Sequence, residues 1–255
     1  MKVKEVLIKI FSALAYLAMV FVNYLAVSIP LNNRSTGEIS DAYPNLFAPA
    51  GITFSIWGVI YLLLGAYVVY QLFSNNKKTK ILLKQTNLLF IQNSIVNMLW
   101  IFAWHYDFIW LSLILMIALL ATLIKIADLH NGVKFNSLEN LVIKTPFSVY
   151  FGWITVATIA NVTVFLVSIG WNGFGIPDFI WTAVVLFVGM LIGIARMKKD
   201  KSIPYGLVLI WAYFGILYKH TSAVGFSGQY PLVILVTSAC IIIFAFYLTK
   251  IKLDK

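Results

Sequence analysis

Long apolar runs alternate along the chain with short polar segments, and this alternation dominates the sequence. A helix that crosses the hydrocarbon core of a bilayer needs about 20 predominantly apolar residues. Eight runs approach or exceed this length, so the pattern predicts an all-α polytopic membrane bundle with eight transmembrane helices. The shortest is the seventh, because Lys219 and His220 interrupt it. The predicted spans are Val6–Ile29, Pro49–Phe73, Leu82–Trp104, Phe108–Ala127, Leu141–Ser168, Asp178–Ala195, Ile203–Tyr218 and Pro231–Thr249.

The distribution of basic residues predicts the orientation of these helices. When the segments between spans are assigned alternately to two sides, all but two of the 19 Lys and Arg residues fall on the side of the N-terminus. The exceptions are Arg34 and Lys219. Because cytoplasmic segments of membrane proteins carry an excess of Lys and Arg, both termini are predicted to be cytoplasmic. We expect an integral protein of a prokaryotic plasma membrane.

Composition excludes several classes of function. The chain is 61% hydrophobic and 11% charged, whereas soluble domains carry about 25% charged residues. The net charge of +10 comes from short clusters between spans, without interleaved aromatics, so we predict no nucleic-acid partner. Every Asp and Glu lies in a loop or at a span end, which argues against ion-coupled transport. No metal-ligand spacing, nucleophile triad or phosphate-binding loop occurs, and the single Cys240 cannot form an internal disulfide.

Tryptophans fall into two groups. Trp104, Trp110, Trp171 and Trp181 flank outer loops, where interfacial anchors are typical. Trp57, Trp100, Trp153 and Trp211 lie deeper within their spans, which also carry amide and hydroxyl side chains. Amides inside spans hydrogen-bond between packed helices, or they line a pocket for a flat, largely apolar ligand. One helical stripe carries such residues at spacings of three, four and four: Tyr150, Trp153, Ala157 and Asn161.

Three motifs lie on the second, third and fifth predicted spans. They are "APAGITFSIWGVIY" with Trp57 and Tyr61, "QNSIVNMLWIFAW" with Asn97 and Trp100, and "YFGWITVATIAN" with the stripe above. In order and spacing they resemble the tryptophan-rich sensory protein or translocator protein (TspO/MBR) family. Ala48 and Val156 stand where that family has Pro and Phe.

The resemblance implies a five-helix bundle over residues 1–172, followed by three additional transmembrane helices within 173–255. It also implies an aromatic pocket inside the membrane that binds porphyrins or other flat hydrophobic ligands, with no other cofactor. The loop 30–47 would fold over the pocket, where Arg34 pairs with a ligand carboxylate. The expected ligand-binding residues are Trp57, Tyr61, Asn97, Trp100, Tyr150, Trp153, Ala157, Asn161 and Arg34.

Several functions remain open at this stage. The favoured one is a sensor or carrier that binds a small hydrophobic ligand within the lipid bilayer. The alternative is an uncoupled transporter or facilitator of small metabolites. The resemblance also implies light-dependent porphyrin breakdown. The sequence offers no general acid, general base or metal site for such a reaction, so we expect binding without turnover. A structural role, and assembly into a homo-oligomer, are also left open.

Overall fold

The computed structural model describes residues 3–29 and 31–253. Each predicted span corresponds to one long helix, and the ends differ by at most five residues except at the start of the second span, where the predicted Pro49 lies seven residues before the first residue of the helix, Ile56. Lys2 and Lys255, which contribute to the predicted charge asymmetry, and Pro30 of the first loop lie outside the described residues. The long helices are α1 (Val3–Ser28), α2 (Ile56–Phe73), α3 (Lys80–His105), α4 (Ile109–His130), α5 (Thr145–Ser168), α6 (Asp178–Asp200), α7 (Ile203–Thr221) and α8 (Pro231–Leu253).

Seven helical segments among the described residues are long and apolar enough to cross a membrane. Two of them extend beyond the helices named above, as Gly51–Phe73 and Ser137–Ser168. The protein is therefore an all-helical integral membrane bundle. The predicted eighth span, α7, is a helix of 19 residues, but its polar end at Lys219 and His220 leaves it less apolar than the other seven. Its membrane crossing, and the side on which the termini lie, stay predictions.

Short polar segments set where the helices begin and end, and the sequence explains how. Asp107 adopts a left-handed backbone with φ 59° and reverses the chain in the tight turn between α3 and α4, as the short "HYD" connection predicts. Ser202 accepts a hydrogen bond from the backbone N–H of Tyr205 and so begins α7. Asn136 and Glu139 form a reciprocal capping box before α5, which satisfies two N–H groups that the helix start leaves free.

The chain forms two compact units, which are Met1–Thr36 with Trp57–Phe151, and Gly37–Ile56 with Gly152–Lys255. The first contains α1 to α4 and the start of α5. The second contains the remainder of α5, helices α6 to α8 and the segment that precedes α2. The boundary between the units falls inside α5, so it does not coincide with the predicted division at residue 172. That division was made on resemblance to a five-helix family and stays a prediction.

In the first unit, α3 packs against both α1 and α4. Three buried rings from α2, α3 and α5 pack together in its interior, with Tyr67 and Phe90 both packed against Phe147. Their ring centroids lie 4.8 to 5.8 Å apart at interplanar angles of 77 to 85°. Edge-to-face contacts of this kind add about 0.5–1.5 kcal/mol per pair beyond the burial of the rings.

In the second unit, α8 packs against α6 and α7, and Tyr213 meets Phe244 edge to face at 5.2 Å. Gly152 permits the close approach of α5 to α7. A Cβ at this position would lie 2.9 Å from the backbone oxygen of Tyr205 and 2.9 Å from the Cβ of Val208. Small residues at such crossings are typical of helix packing in membranes.

Candidate functional site

Five of the aromatic side chains in the first unit form a ladder of rings, the Trp57 cluster, which consists of Trp57, Tyr61, Trp100, Trp104 and Tyr150. Trp57 stacks on Tyr61 at 5.6 Å and 20°, and on Trp100 at 6.2 Å and 30°. Trp100 in turn stacks on Trp104 at 5.9 Å and 22°, while Tyr150 meets Trp57 at 5.8 Å and 63°. The structure thus brings together four of the predicted ligand-binding aromatics and adds Trp104.

Local sequence spacing explains the ladder. Trp57 and Tyr61 lie four residues apart on α2, and Trp100 and Trp104 lie four apart on α3, so each pair shares one face of its helix. Trp104 differs from the expected interfacial anchor. It is only 4% exposed, and its indole N–H donates to the backbone oxygen of Thr36 at 3.1 Å.

Asn97 links three helices beside this cluster. Its Oδ1 accepts a hydrogen bond from Nδ2 of Asn23 on α1 at 2.7 Å, and its own Nδ2 donates to the Tyr150 hydroxyl on α5 at 3.0 Å. All three side chains are buried. Asn23 also donates to the backbone oxygen of Met19 at 2.9 Å. Asn23 was not among the predicted site residues, although its position inside the first span marks it as an interior amide.

Two polar groups of the cluster are buried and make no hydrogen bond to any described residue. They are the hydroxyl of Tyr61 and the indole N–H of Trp100. A buried donor without an acceptor costs about 1–3 kcal/mol, and lipid tails offer no water to satisfy it. Both groups therefore remain able to donate to a bound molecule.

The predicted contacts on the later part of α5 belong to the second unit. Trp153 is buried and meets Phe54 edge to face, with centroids 5.7 Å apart and an interplanar angle of 82°. Asn161 is also buried, whereas Ala157 is partly exposed. Phe54 lies in the short 3-10 helix Gly51–Ser55 that precedes α2. Trp153, Ala157 and Asn161 stay predicted ligand contacts.

The predicted lid loop is attached within each unit. In the first unit, Arg34 forms an ion pair with Asp107, and Asn32 Nδ2 donates to the backbone oxygen of His105 at 2.9 Å. In the second unit, Lys219 contacts Asp41 at 2.7 Å, and a ring nitrogen of His220 lies 2.9 Å from the backbone oxygen of Leu46. Arg34 thus has a protein carboxylate as its partner, and its pairing with a ligand stays a prediction.

The protein also has two cavities that no predicted site residue lines. One, of about 220 Å³, lies in the first unit among the ends of α1, α2 and α3. The other, of about 490 Å³, lies in the second unit beside Asp41, Phe179, Lys219 and Tyr230. Sequence patterns did not identify either cavity, although the lysine cluster at residues 77–84 marks the first.

Comparison with known proteins identifies the family. No match was found among curated proteins or among solved structures. A family model described as TSPO-like protein matches residues 9–249. The matched residues extend from α1 into α8, and therefore include the three C-terminal helices that the five-helix resemblance left unmatched. The chain belongs to the TSPO-like protein family.

Proposed function

We propose that this protein binds porphyrins, related tetrapyrroles or other flat hydrophobic molecules at the Trp57 cluster, as a membrane sensor or carrier. The observation that carries this proposal is the ladder of nearly parallel rings with two buried, unused donors beside it. Aromatic faces bind flat conjugated molecules by offset stacking. The family membership supports the proposal at the level of the family, and the ligand itself is our inference.

Exposure within the cluster indicates which ring the ligand contacts. Trp100 is 3% exposed and Tyr150 is fully buried, whereas Trp57 is partly exposed. A ligand can therefore contact the exposed part of Trp57 without displacing Trp100 or Tyr150. The Tyr61 hydroxyl and the Trp100 indole N–H would then donate to its polar groups, which is the mixture of apolar walls and few polar groups typical of small-molecule sites.

The remaining predicted contacts are part of the same proposal. Trp153, Ala157 and Asn161 on the later part of α5 stay predicted ligand contacts. Arg34 would exchange Asp107 for a ligand carboxylate such as a porphyrin propionate. The exchange is energetically accessible because the Arg34 and Asp107 side chains are 31% and 37% exposed, and ion pairs exposed to this degree contribute about 0–1 kcal/mol.

A titration with protoporphyrin IX tests the proposal. We expect Trp57→Leu to weaken binding about tenfold, because a stacked aromatic pair contributes about 0.5–1.5 kcal/mol beyond burial. Trp110→Leu is the matched control, since Trp110 is 59% exposed. Binding is followed by the shift of the porphyrin Soret band, so that the loss of a tryptophan does not remove the reporter. Equal affinities in the wild type and Trp57→Leu would refute this site.

An uncoupled facilitator of small metabolites is the second candidate. It is favoured by a chain of buried polar side chains in the first unit, in which Asn87 accepts from Ser12 and Tyr67 and donates to Gln71. Polar groups inside a membrane protein often line substrate paths. Flux of candidate metabolites into proteoliposomes distinguishes the two functions, because a sensor binds its ligand without net transfer.

The proposal assigns the protein to a prokaryotic plasma membrane and gives it no cofactor other than the porphyrin ligand. It assigns no chemical turnover to the site. Illumination of the porphyrin complex, followed by absorbance in the Soret region, tests this part directly. Loss of the porphyrin spectrum at a rate that depends on Trp57 would show that the site supports breakdown as well as binding.

A further inference from the structure

The cavity of about 220 Å³ in the first unit is lined by an unusual set of residues. Four lysines and one glutamate contribute charge to its walls, so the lining carries a net charge of +3. Ile8 and Leu83 provide apolar surface, while Asn87 and the segment 74–76 provide polar groups. The charged residues are Glu5, Lys9, Lys77, Lys80 and Lys84.

Only two of the four lysines have partners within the described part of the chain. Lys80 Nζ lies 2.8 Å from Oε2 of Glu5. Lys9 Nζ donates to the backbone oxygens of Leu72 and Ser74 at 3.3 and 2.8 Å. The side chains of Lys77 and Lys84 form neither a hydrogen bond nor an ion pair with any described residue, and both are exposed at the cavity. Two ammonium groups on one cavity wall are therefore available for an anion.

The walls are held in place before any ligand arrives. Lys9 attaches the end of α2 to α1, as described above, and Asn76 Nδ2 donates to Oε1 of the buried Glu139 at 2.8 Å. At the inner end, Asn87 Oδ1 accepts from the Tyr67 hydroxyl at 2.6 Å, and Asn87 Nδ2 donates to Gln71 at 2.9 Å. A cavity whose polar groups are already hydrogen-bonded loses little conformational entropy when a ligand binds.

We propose that this cavity binds a phosphate-bearing anion, presented either by the headgroup of an anionic membrane phospholipid or by a small soluble phosphate. Lys77 and Lys84 contact the phosphate, while Ile8 and Leu83 contact the apolar part of a lipid. Basic pockets between transmembrane helices at the cytoplasmic side suit anionic headgroups, and the positive-inside charge distribution predicts that side for these residues. The site is separate from the Trp57 cluster and does not depend on porphyrin binding.

The test measures the binding of phosphatidylglycerol, phosphatidylcholine and inorganic phosphate to the full-length protein in neutral detergent by native mass spectrometry. We expect phosphatidylglycerol to bind more tightly than phosphatidylcholine. Lys77→Gln with Lys84→Gln should weaken phosphatidylglycerol binding about thirtyfold, because each basic residue near an anionic surface typically strengthens binding about fivefold. Lys77→Arg with Lys84→Arg should retain binding, because the charge is kept.

The matched control is Lys250→Gln with Lys252→Gln. These exposed lysines lie at the end of α8 on the same predicted side, and the change removes the same net charge without touching the cavity. It should leave binding unchanged. Displacement of phosphatidylglycerol by inorganic phosphate would support a soluble source of the anion, and no displacement would support the lipid. Equal binding of the two lipids, or unchanged binding in the Lys77/Lys84→Gln variant, would overturn the proposal.

Discussion

Substitution of Asn97 by leucine tests whether the amide link between α1, α3 and α5 stabilises the first unit. Leucine has the same branching and the same number of side-chain heavy atoms as asparagine, so the change removes polar atoms without creating a cavity. Two hydrogen bonds are lost, one from Asn23 at 2.7 Å and one to the Tyr150 hydroxyl at 3.0 Å. The variant therefore isolates the polar contribution of one fully buried side chain.

The expected loss follows from these two contacts. Hydrogen bonds between membrane helices contribute about 0.6 kcal/mol on average and up to about 1.7 kcal/mol. Asn23 keeps its bond to the backbone oxygen of Met19, so the loss of Asn97 leaves it partly satisfied. Tyr150, in contrast, loses its hydroxyl partner, and an unsatisfied buried group costs about 1–3 kcal/mol. We expect Asn97→Leu to lower the free energy of unfolding by about 2 kcal/mol.

Equilibrium unfolding in mixed micelles, followed by far-UV circular dichroism, measures this change. A double-mutant cycle with Tyr150→Phe should give a coupling energy of about 1 kcal/mol, the scale expected for one hydrogen bond. Gln92→Leu is the matched control, because Gln92 is an exposed amide on the same helix, and it should not destabilise the protein. An unchanged free energy of unfolding in Asn97→Leu, together with zero coupling, would refute the reasoning.

Two further predictions concern packing in the second unit and the role of Arg34. Gly152→Ala should lower the thermal unfolding midpoint, since overpacking costs about 1–3 kcal/mol. Gly58→Ala is the control: an added Cβ meets nothing within 4 Å there, so the change should raise the midpoint slightly because alanine favours the helix. A stabilised Gly152→Ala variant would contradict the close approach of α5 to α7. Asp107→Asn should strengthen protoporphyrin binding up to about fivefold by releasing Arg34 from its ion pair, and Arg34→Gln should weaken it. Titration of the dimethyl ester of the porphyrin provides the control, and equal responses of acid and ester would exclude carboxylate pairing.

Helix positions were predictable from the sequence because they depend on local composition. The predicted span Pro231–Thr249 begins at the same residue as α8, and the predicted break at "HYD" corresponds to the turn at Asp107. Ladder pairs within one helix were equally predictable, since residues four apart must share a face. Trp57 with Tyr61 is such a pair.

Contacts between distant segments were not predictable in this way. Trp104 carries the same local pattern as an interfacial anchor, yet its indole N–H donates to Thr36, 68 positions away. Arg34 is a loop arginine in the sequence, and only the fold shows that Asp107 is its partner. The cavity lysines likewise divide into paired and unpaired residues through contacts with Glu5 and with the end of α2.

The sequence alone determined that this protein is a helical membrane bundle. It also determined the positions of the helices and the family motifs that they carry, because hydropathy and short-range spacing are properties of neighbouring residues. The tertiary structure decided which polar and aromatic groups meet. In a membrane, a buried polar group without a partner is costly, so most such groups bond to another helix or to their own backbone. The choice between Asn23 and any other interior amide as the partner of Asn97 depends on which helices are adjacent, and no local pattern carries that information.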